Sequence, residues 1–427
     1  MQAASYPSAR LWPWWRKLLF RFSGLYLLLY MAPWTWLDAV PGLSVVAEQY
    51  ARAESQLVGF GNAHLFHVKD VLVPMGGSGD TSYGYAQLCF FALAAVLGAL
   101  LWSLLDRRRP GYAAGYYWLL VLVRYFVALN ALSYGIMKLF GQQMIFPTLS
   151  ALATPLGDLL PMRFSWFFIG YSAPYQFFSG ATEVVAGGLL LFRRTSTLGA
   201  VVAAGVFLNV VMMNLCYDIP VKLFSIHLFA FSCFLLLGDA GRLLDFFVFN
   251  RPTRPAVPRV LPGWRLRIAQ LTLKLVFAGL FILVPFYEFY KNAAEAAGAP
   301  AQGKLATGFF AVDQFQSTAP DSLQWKDVIF EQGKSGSVLT TDTLLRQRYR
   351  RGYFTYALDS ATSTIAFRKF ITDSTALFTL RYAMPDTNHI LLHGLIRRDS
   401  VRIALTRQAR HYQLAERQFH WLSEANR

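Results

Sequence analysis

About seven runs of roughly twenty mostly apolar residues occur in this chain, and each is long enough to cross the roughly 30 Å hydrocarbon core of a membrane as a helix. Only 15% of the residues are charged, against about a quarter in a soluble domain, which excludes an ordinary soluble protein and a disordered chain. We therefore predict a polytopic α-helical membrane bundle. The predicted spans cover residues 22–40, 85–105, 117–140, 164–192, 198–217, 221–237 and 268–287.

The basic residues between these spans predict their orientation, because short cytoplasmic loops collect Lys and Arg. With a cytoplasmic N-terminus, fifteen basic residues fall on the cytoplasmic side and three on the other. We therefore expect a multi-pass cell (inner) membrane protein whose C-terminal region is extracytoplasmic. The net charge of +16 is spread over several short loops, which argues against a nucleic-acid partner. The expected partners are membrane lipid and a redox or assembly protein.

The residues after the last predicted span have a different pattern. From about residue 307, short segments of alternating polar and apolar residues are separated by Asp, Ser, Gly, Pro and Asn. This alternation predicts an antiparallel sheet, either a small barrel or a sandwich. The predicted organisation is N-terminal spans with an outer loop over 1–110, a helical bundle with the last span over 111–290, and an extracytoplasmic β-rich domain over 307–427.

Three ionisable residues fall near the middle of predicted spans. Counting about 1.5 Å per residue from the cytoplasmic ends places Arg124, Glu183 and His227 at roughly 15 to 18 Å depth. Such groups are costly in hydrocarbon, so each needs a partner or a use. In one interpretation Arg124 and Glu183 form a buried ion pair, and His227 bonds a neighbouring hydroxyl. In the other interpretation, all three form a cluster that handles protons or orients a ligand, and His227 could change charge near neutral pH.

Lys138, Asn214, Asp218 and Lys222 fall roughly 12 Å further out, near the non-cytoplasmic boundary. Lys138 shares a helix face with Tyr134, because the two are four residues apart. A lysine removed from water loses basicity and can act as a general base, whereas one at the interface can extend its ammonium group into water. Both roles stay open for Lys138.

The segment from Asn214 to Lys222 is too polar for the interior of a span, and Pro220 predicts a tight turn there. Asp218 could pair with Lys222 to hold this turn, or both could contact a substrate. The glycine-rich residues 76–79 before the second span predict another turn, after which Asp80 or Thr81 caps that helix.

Four segments in this region resemble the DoxX-like integral membrane proteins. They are residues 134–143 (YGIMKLFGQQ), 180–192 (GATEVVAGGLLLF), 209–214 (NVVMMN) and 221–228 (VKLFSIHL), and the likeness extends over about residues 117–239. The resemblance implies a core four-helix unit, and some members of that family are linked to thiosulfate:quinone oxidoreductase systems.

The segment around Tyr134 and Lys138 is also similar, more distantly, to the transmembrane part of vitamin K-dependent carboxylases. That resemblance implies that Lys138 is a base coupled to quinol oxidation. The roughly 120 residues after the last span are too few for the large lumenal domain of a carboxylase, which argues against carboxylation itself.

The first hypothesis is therefore a quinone-linked oxidoreductase or a subunit of one. The quinone would enter between the third, fourth and sixth spans, Lys138, Glu183 and His227 would be catalytic, and Arg124, Tyr134, Asn214, Asp218 and Lys222 would contact substrate. No cysteine or histidine spacing specifies a metal, haem or iron–sulfur ligand set. The alternative is a non-catalytic scaffold, receptor or small-molecule carrier whose outer β domain binds a partner.

Overall fold

The computed structural model describes residues 11–74, 79–253, 264–298, 307–318, 323–417 and 421. The chain divides into two compact units. The first, Met1–Met144 with Ser172–Ala293, is helical, and the second, Ile145–Tyr171 with Ala294–Arg427, contains the β-sheet. The predicted combination of a helical bundle and a C-terminal antiparallel β domain is confirmed.

The helices among the described residues range from a single turn to 27 residues. In chain order they are α1 (Trp14–Met31), α2 (Ser44–Gly61), α3 (Ser82–Leu105), α4 (Ala113–Leu139), α5 (Leu149–Leu152), α6 (Pro161–Tyr171), α7 (Ala173–Leu191), α8 (Ser196–Cys216), α9 (Lys222–Leu237), α10 (Ala240–Phe247), α11 (Trp264–Ala278), α12 (Val284–Gly298) and α13 (Gln413–Glu416). A π-helical turn, Gly279–Leu283, joins α11 to α12.

Within the described residues, four helical segments are long and apolar enough to cross a membrane, which supports a membrane protein. A fifth is added if α9 and α10, which meet at 79°, count as one broken span. The sequence predicts about seven spans. The two predicted spans that are not among these five segments overlap α1 and α7. These two helices are more polar, since α1 carries Arg16, Lys17 and Arg21, and α7 carries Gln176 and Glu183. The four segments are Ser82–Leu105, Ala113–Leu139, Ser196–Cys216 and Trp264–Glu295.

Two predicted spans have different bounds in the structure. The first helix ends at Met31, because Ala32 adopts a left-handed conformation and is followed by Pro33, so the predicted span over 22–40 was wrong at both ends. The predicted span over 164–192 is divided at Ser172, whose hydroxyl accepts the N–H of Tyr175 and caps α7. The part before this break, α6, belongs to the β unit.

The core of the helical unit is built around α4. Val123 and Val127 of α4 belong to one buried cluster with Leu190 of α7, Phe207 of α8 and Phe231 of α9. The helix that carries Arg124, Tyr134 and Lys138 therefore packs among the helices that carry Glu183 and His227.

The β unit is a closed antiparallel barrel. Among the described residues, eight strands follow one another around it and β4 pairs only with β5. Pairing of β3 with β5, with Gly336 opposite Phe354, closes the ring. Buried aromatic residues, including Trp325 and Phe367, fill the interior, so this barrel is a packed core. The strands are β1 (Gly308–Ser317), β2 (Asp327–Phe330), β3 (Ser335–Val338), β4 (Arg346–Arg348), β5 (Arg351–Asp359), β6 (Thr364–Arg368), β7 (Phe378–Ala383), β8 (His389–Ile396) and β9 (Asp399–Gln408).

Residues 145–171, which lie between α4 and α7 in the sequence, pack on this barrel as part of the β unit. The carboxylate of Glu331 accepts the N–H groups of Leu149 at 3.3 Å and Ser150 at 2.7 Å. The Ser150 hydroxyl in turn accepts a hydrogen bond from the buried Ser337 hydroxyl at 2.8 Å. The β unit is therefore assembled from two segments that are far apart in the sequence.

Candidate functional site

The central feature of the helical unit is a buried ion pair between α4 and α7. The Nζ of Lys138 donates to Oε1 of Glu183, and the two side chains are only 7% and 2% exposed. The other carboxylate oxygen of Glu183, Oε2, is buried and has no hydrogen-bond partner among the described residues. A lysine and a carboxylate that are paired in an apolar bundle can pass one proton between them. Their total charge stays at zero whichever side chain holds that proton.

Glycines allow this pair to form. Gly135 and Gly180 each precede the charged residue of their helix by three positions, so each glycine shares a face with that residue. A Cβ added to Gly180 would lie 2.7 Å from the Cβ of Lys138, which shows how closely Lys138 crosses the backbone of α7. The two charges meet because small residues let the two helices touch.

The interpretation in which Glu183 pairs with Arg124 was wrong, and so was the depth estimate behind it. Gly187 packs against Leu132 and the carbonyl oxygen of Ala128, so α7 ends about three turns before the level at which α4 begins. Depths counted from the ends of these two helices are therefore not comparable, and Glu183 lies beside Lys138.

His227 lies on α9 in a stack of aromatic rings. Its Nδ1 donates to the carbonyl oxygen of Leu223 at 2.7 Å, which leaves Nε2 of the neutral ring to accept the Tyr26 hydroxyl at 2.7 Å. The Tyr30 ring stacks on the imidazole with centroids 3.9 Å apart. A hydroxyl partner for His227 matches one of the two interpretations drawn from the sequence.

Two tyrosines, Tyr30 and Tyr134, lie near His227 and the ion pair, respectively. Tyr30 lies within electrostatic range of Tyr134, and Tyr134 lies within electrostatic range of Glu183. Tyr134 also contacts α9, since its ring centroid is 6.2 Å from that of Phe224. We call the resulting series of titratable side chains the polar row. It consists of Lys138, Glu183, Tyr134, Tyr30, His227 and Tyr26.

A second polar cluster lies at the first turn of α9. The carboxylate of Asp80 accepts the N–H groups of Lys222 at 2.8 Å and Leu223 at 2.9 Å, and thereby caps α9. The Nζ of Lys222 lies 2.7 Å from Asp218 and 3.7 Å from Asp80. Tyr30 is within electrostatic range of Asp80, so this cluster is near the middle of the polar row.

The contacts of three candidate substrate residues hold the turn before α9. Asp218 pairs with Lys222, as the structural interpretation predicted, and the buried amide of Asn214 donates to the carbonyl oxygen of Val221 at 3.4 Å. Thr81 caps the second predicted span, since its hydroxyl accepts the N–H of Gly84. The rest of the predicted glycine-rich turn, residues 76–78, lies outside the described residues.

Arg124 is separate from the polar row. It lines a cavity of about 400 Å³ between α4 and α11, and its buried Nε has no hydrogen-bond partner among the described residues. Its guanidinium carbon lies 5.2 Å from the centroid of the Tyr125 ring. The predicted cluster of Arg124, Glu183 and His227 is therefore divided between two places.

Sequence reasoning missed Tyr26 and Tyr30, and it offered Asp80 as a cap for α3 although that carboxylate caps α9. The two tyrosines are four residues apart in an apolar run, so their shared helix face was a signal that could have found them. Asp80 had no comparable signal, because it caps a helix that begins 142 residues later in the chain. Within the described residues, no group of three or more His, Cys, Asp or Glu side chains is placed to hold a metal ion.

No family model matches this chain, and no solved structure matches it significantly. The chain is similar to the uncharacterized protein YwoB of Bacillus subtilis (strain 168). The two are 34% identical over 128 residues, which cover 29% of this chain and 79% of that protein.

Proposed function

This chain belongs to the same family as YwoB, and we propose that its helical unit is a quinone-linked membrane oxidoreductase, or a subunit of one, in which the polar row moves protons. The observation that carries the proposal is the buried pair of Lys138 and Glu183, with Tyr134 within electrostatic range of that pair and Tyr30 stacked on His227. Ionisable residues inside membrane helices are expensive and usually serve proton or ion movement. The resemblance of these segments to DoxX-like proteins supports a quinone as the redox ligand.

The part of the polar row around α1 and α9 fits a quinone head best. Such a head is a flat ring with two carbonyl oxygens that accept hydrogen bonds. The contact between Gly135 and Gly180 leaves no space for a ring between α4 and α7. Tyr26, Tyr30 and His227 are half-buried and offer aromatic faces together with hydroxyl and imidazole groups, so they would hold the head.

A bound quinone would supply two-electron, two-proton redox chemistry, and the protein would supply positions for the protons. Because Nδ1 of His227 is bonded to a carbonyl oxygen, a proton from the Tyr26 hydroxyl can be received only at Nε2. The ion pair at the other end of the row can become a neutral pair by transfer of a proton from Lys138 to Glu183, with no change in its total charge. Tyr26, His227 and the ion pair therefore have defined donor and acceptor atoms.

We also propose that the N-terminus is cytoplasmic and that the β unit is extracytoplasmic. The β unit contains both residues 145–171 and the C-terminal barrel, and one compact unit occupies one side of a membrane. The distribution of basic residues assigns both of these segments to the outer side. The composition of the β unit and the distribution of basic residues therefore favour the same side of the membrane for both segments.

Quinone binding and turnover by the purified full-length protein test this proposal. We expect mass spectrometry to detect a quinone that survives purification, and we expect oxidation or reduction of a short-chain benzoquinone to fall at least tenfold in His227→Phe, as is typical when a positioned acid–base group is lost. His64→Phe is the matched control, because His64 also bonds the carbonyl oxygen four residues earlier and stacks on an aromatic ring, Phe60, but lies outside the row in the π-helical turn Asn62–Phe66 that follows α2. Absence of bound quinone and of turnover, or equal loss in both variants, would overturn the proposal.

A second candidate is a scaffold or receptor whose β domain binds a partner protein. Because side chains fill the barrel, a partner protein would bind its outer surface. Phe370 and Ile371 are 45% and 68% exposed on this surface, in the turn after β6. Copurification of a stoichiometric protein without quinone, with loss of that protein in Ile371→Ser, would favour this candidate.

A further inference from the structure

The cavity between α4 and α11 is unusual because its charged lining is entirely cationic. Apolar and aromatic side chains form most of its wall, and Arg124, Arg193 and Lys274 contribute positive charge. Among the described residues that line it, none is an Asp or Glu. Lys274 lies within electrostatic range of both arginines, so three like charges are held close together in an apolar setting. An anion in the cavity would remove this repulsion.

Arg124 gives a second and independent indication of a ligand. Its side chain is 91% buried, because only 9% of its surface is exposed, and its Nε has no hydrogen-bond partner among the described residues. A buried guanidinium normally uses its N–H groups to bind acceptors, since a lost hydrogen bond to a charged group is costly. An anionic oxygen in the cavity would give this guanidinium a charged acceptor.

The shape of the cavity indicates an amphiphile. Helix α11 contacts α4 through Phe277, whose ring centroid is 5.1 Å from that of Tyr125. Toward the N-terminus of α11 the two helices enclose the cavity, with Trp118 on one wall and Leu273 on the other. None of the apolar window of the α11 and α12 segment is buried, so in a membrane the exposed face of this helix would border lipid beside the cavity.

We propose that this cavity binds the phosphodiester headgroup of an anionic phospholipid, with Arg124, Arg193 and Lys274 contacting its oxygens and the acyl chains following α11. Basic pockets between membrane helices bind anionic headgroups through this combination of charge and apolar wall. This site is separate from the polar row, so it neither requires nor excludes the oxidoreductase proposal.

Native mass spectrometry and thermal unfolding of the full-length protein test this site, with phosphatidylglycerol and phosphatidylcholine as probes. We expect phosphatidylglycerol to bind at least tenfold more tightly and to raise the unfolding temperature. We expect Lys274→Gln to weaken this binding about fivefold, which corresponds to the loss of one headgroup contact. Arg124→Gln should weaken it further, and Lys274→Gln keeps the test valid if Arg124→Gln fails to fold.

The matched control is Arg265→Gln, which removes a charge from the same helix at an exposed position that does not line the cavity. It should leave the preference for phosphatidylglycerol unchanged. Glycerol 3-phosphate separates a lipid site from a phosphate site, and we expect it to compete only weakly. Equal binding of the two lipids, equal effects of Lys274→Gln and Arg265→Gln, or tight binding of glycerol 3-phosphate alone would each overturn the proposal.

Discussion

Gly135 and Gly180 face each other across α4 and α7 so closely that a Cβ on Gly180 would lie 2.7 Å from the carbonyl oxygen of Gly135, and a Cβ on Gly135 would lie 2.8 Å from that of Gly180. Real Cβ atoms do not approach a backbone oxygen so closely, and a backbone cannot rotate away as a side chain can. The contact therefore sets the distance between the two helices and, with it, the pairing of Lys138 with Glu183.

Gly180→Ala should destabilise the helical unit, because the added methyl group meets backbone atoms of α4. We expect a loss of about 1–3 kcal/mol in the free energy of unfolding, measured by denaturant titration in detergent. Gly188→Ala is the control on the same helix, since nothing lies within 4 Å of its added Cβ. That variant should be neutral or slightly stabilising, because alanine favours helix by about 1 kcal/mol over glycine. Equal behaviour of the two variants would contradict the close approach.

The ion pair makes a prediction about double substitution. Removal of one charge, in Lys138→Met or in Glu183→Gln, leaves the other buried and unpaired, and we expect each change to cost about 3–5 kcal/mol. The double variant should recover much of this loss, because two neutral side chains need no compensating charge. A double-mutant cycle of unfolding free energies measures the coupling, and additive losses would show that the two side chains do not interact.

The fold could be predicted from the sequence where the signal was local. Runs of apolar residues identified the helices, and alternation such as that in residues 401–405 identified the strands, because both patterns reflect the periodicity of one element. The place of residues 145–171 in the β unit could not be predicted in this way. It depends on contacts such as Glu331 with Ser150, which lie 181 positions apart.

The residues of the candidate site could be predicted from the sequence better than the contacts between them. Lys138, Glu183 and His227 stood out because an ionisable residue is conspicuous in an apolar run. Their partners depend on the offset between helices, which the packing of Gly187 against Ala128 determines and which no single span reveals. Counting depth from span ends therefore assigned Glu183 to the wrong cation.

The turn after β5 predicts an acid-sensitive element of the β unit. The Thr362 hydroxyl and the N–H groups of Ala361 and Thr362 donate to the Asp359 carboxylate and hold the pKa of that group below its ordinary value. A carboxyl group with a lowered pKa in the folded state stabilises the fold above its unfolded pKa of about 4, and this contribution is lost as the pH falls through the folded value.

Thr362→Val removes the hydroxyl donor that lowers the pKa of Asp359 most, so this pKa should rise toward its ordinary value. NMR titration of the carboxyl carbon measures the shift. Asp359→Asn should abolish the part of the acid transition that this turn contributes, as followed by near-ultraviolet circular dichroism. An unchanged Asp359 titration in Thr362→Val would contradict the assigned cause.

The composition of the β unit predicts the outcome of a labelling experiment on intact cells. Leu156 in the 145–171 segment and Thr387 in the turn between β7 and β8 are both exposed and belong to this unit, so both should be reached by the same membrane-impermeant maleimide after replacement by cysteine. Arg108, in the basic turn between α3 and α4, should be labelled only after the cells are opened. The background requires replacement of Cys89, Cys216 and Cys233, which are free thiols. Labelling of Leu156→Cys without Thr387→Cys would contradict the two-segment β unit. Labelling of Arg108→Cys alone on intact cells would show that the membrane orientation is opposite to the one proposed, without contradicting the two-segment β unit. The experiment therefore tests the composition of the β unit and the membrane orientation separately.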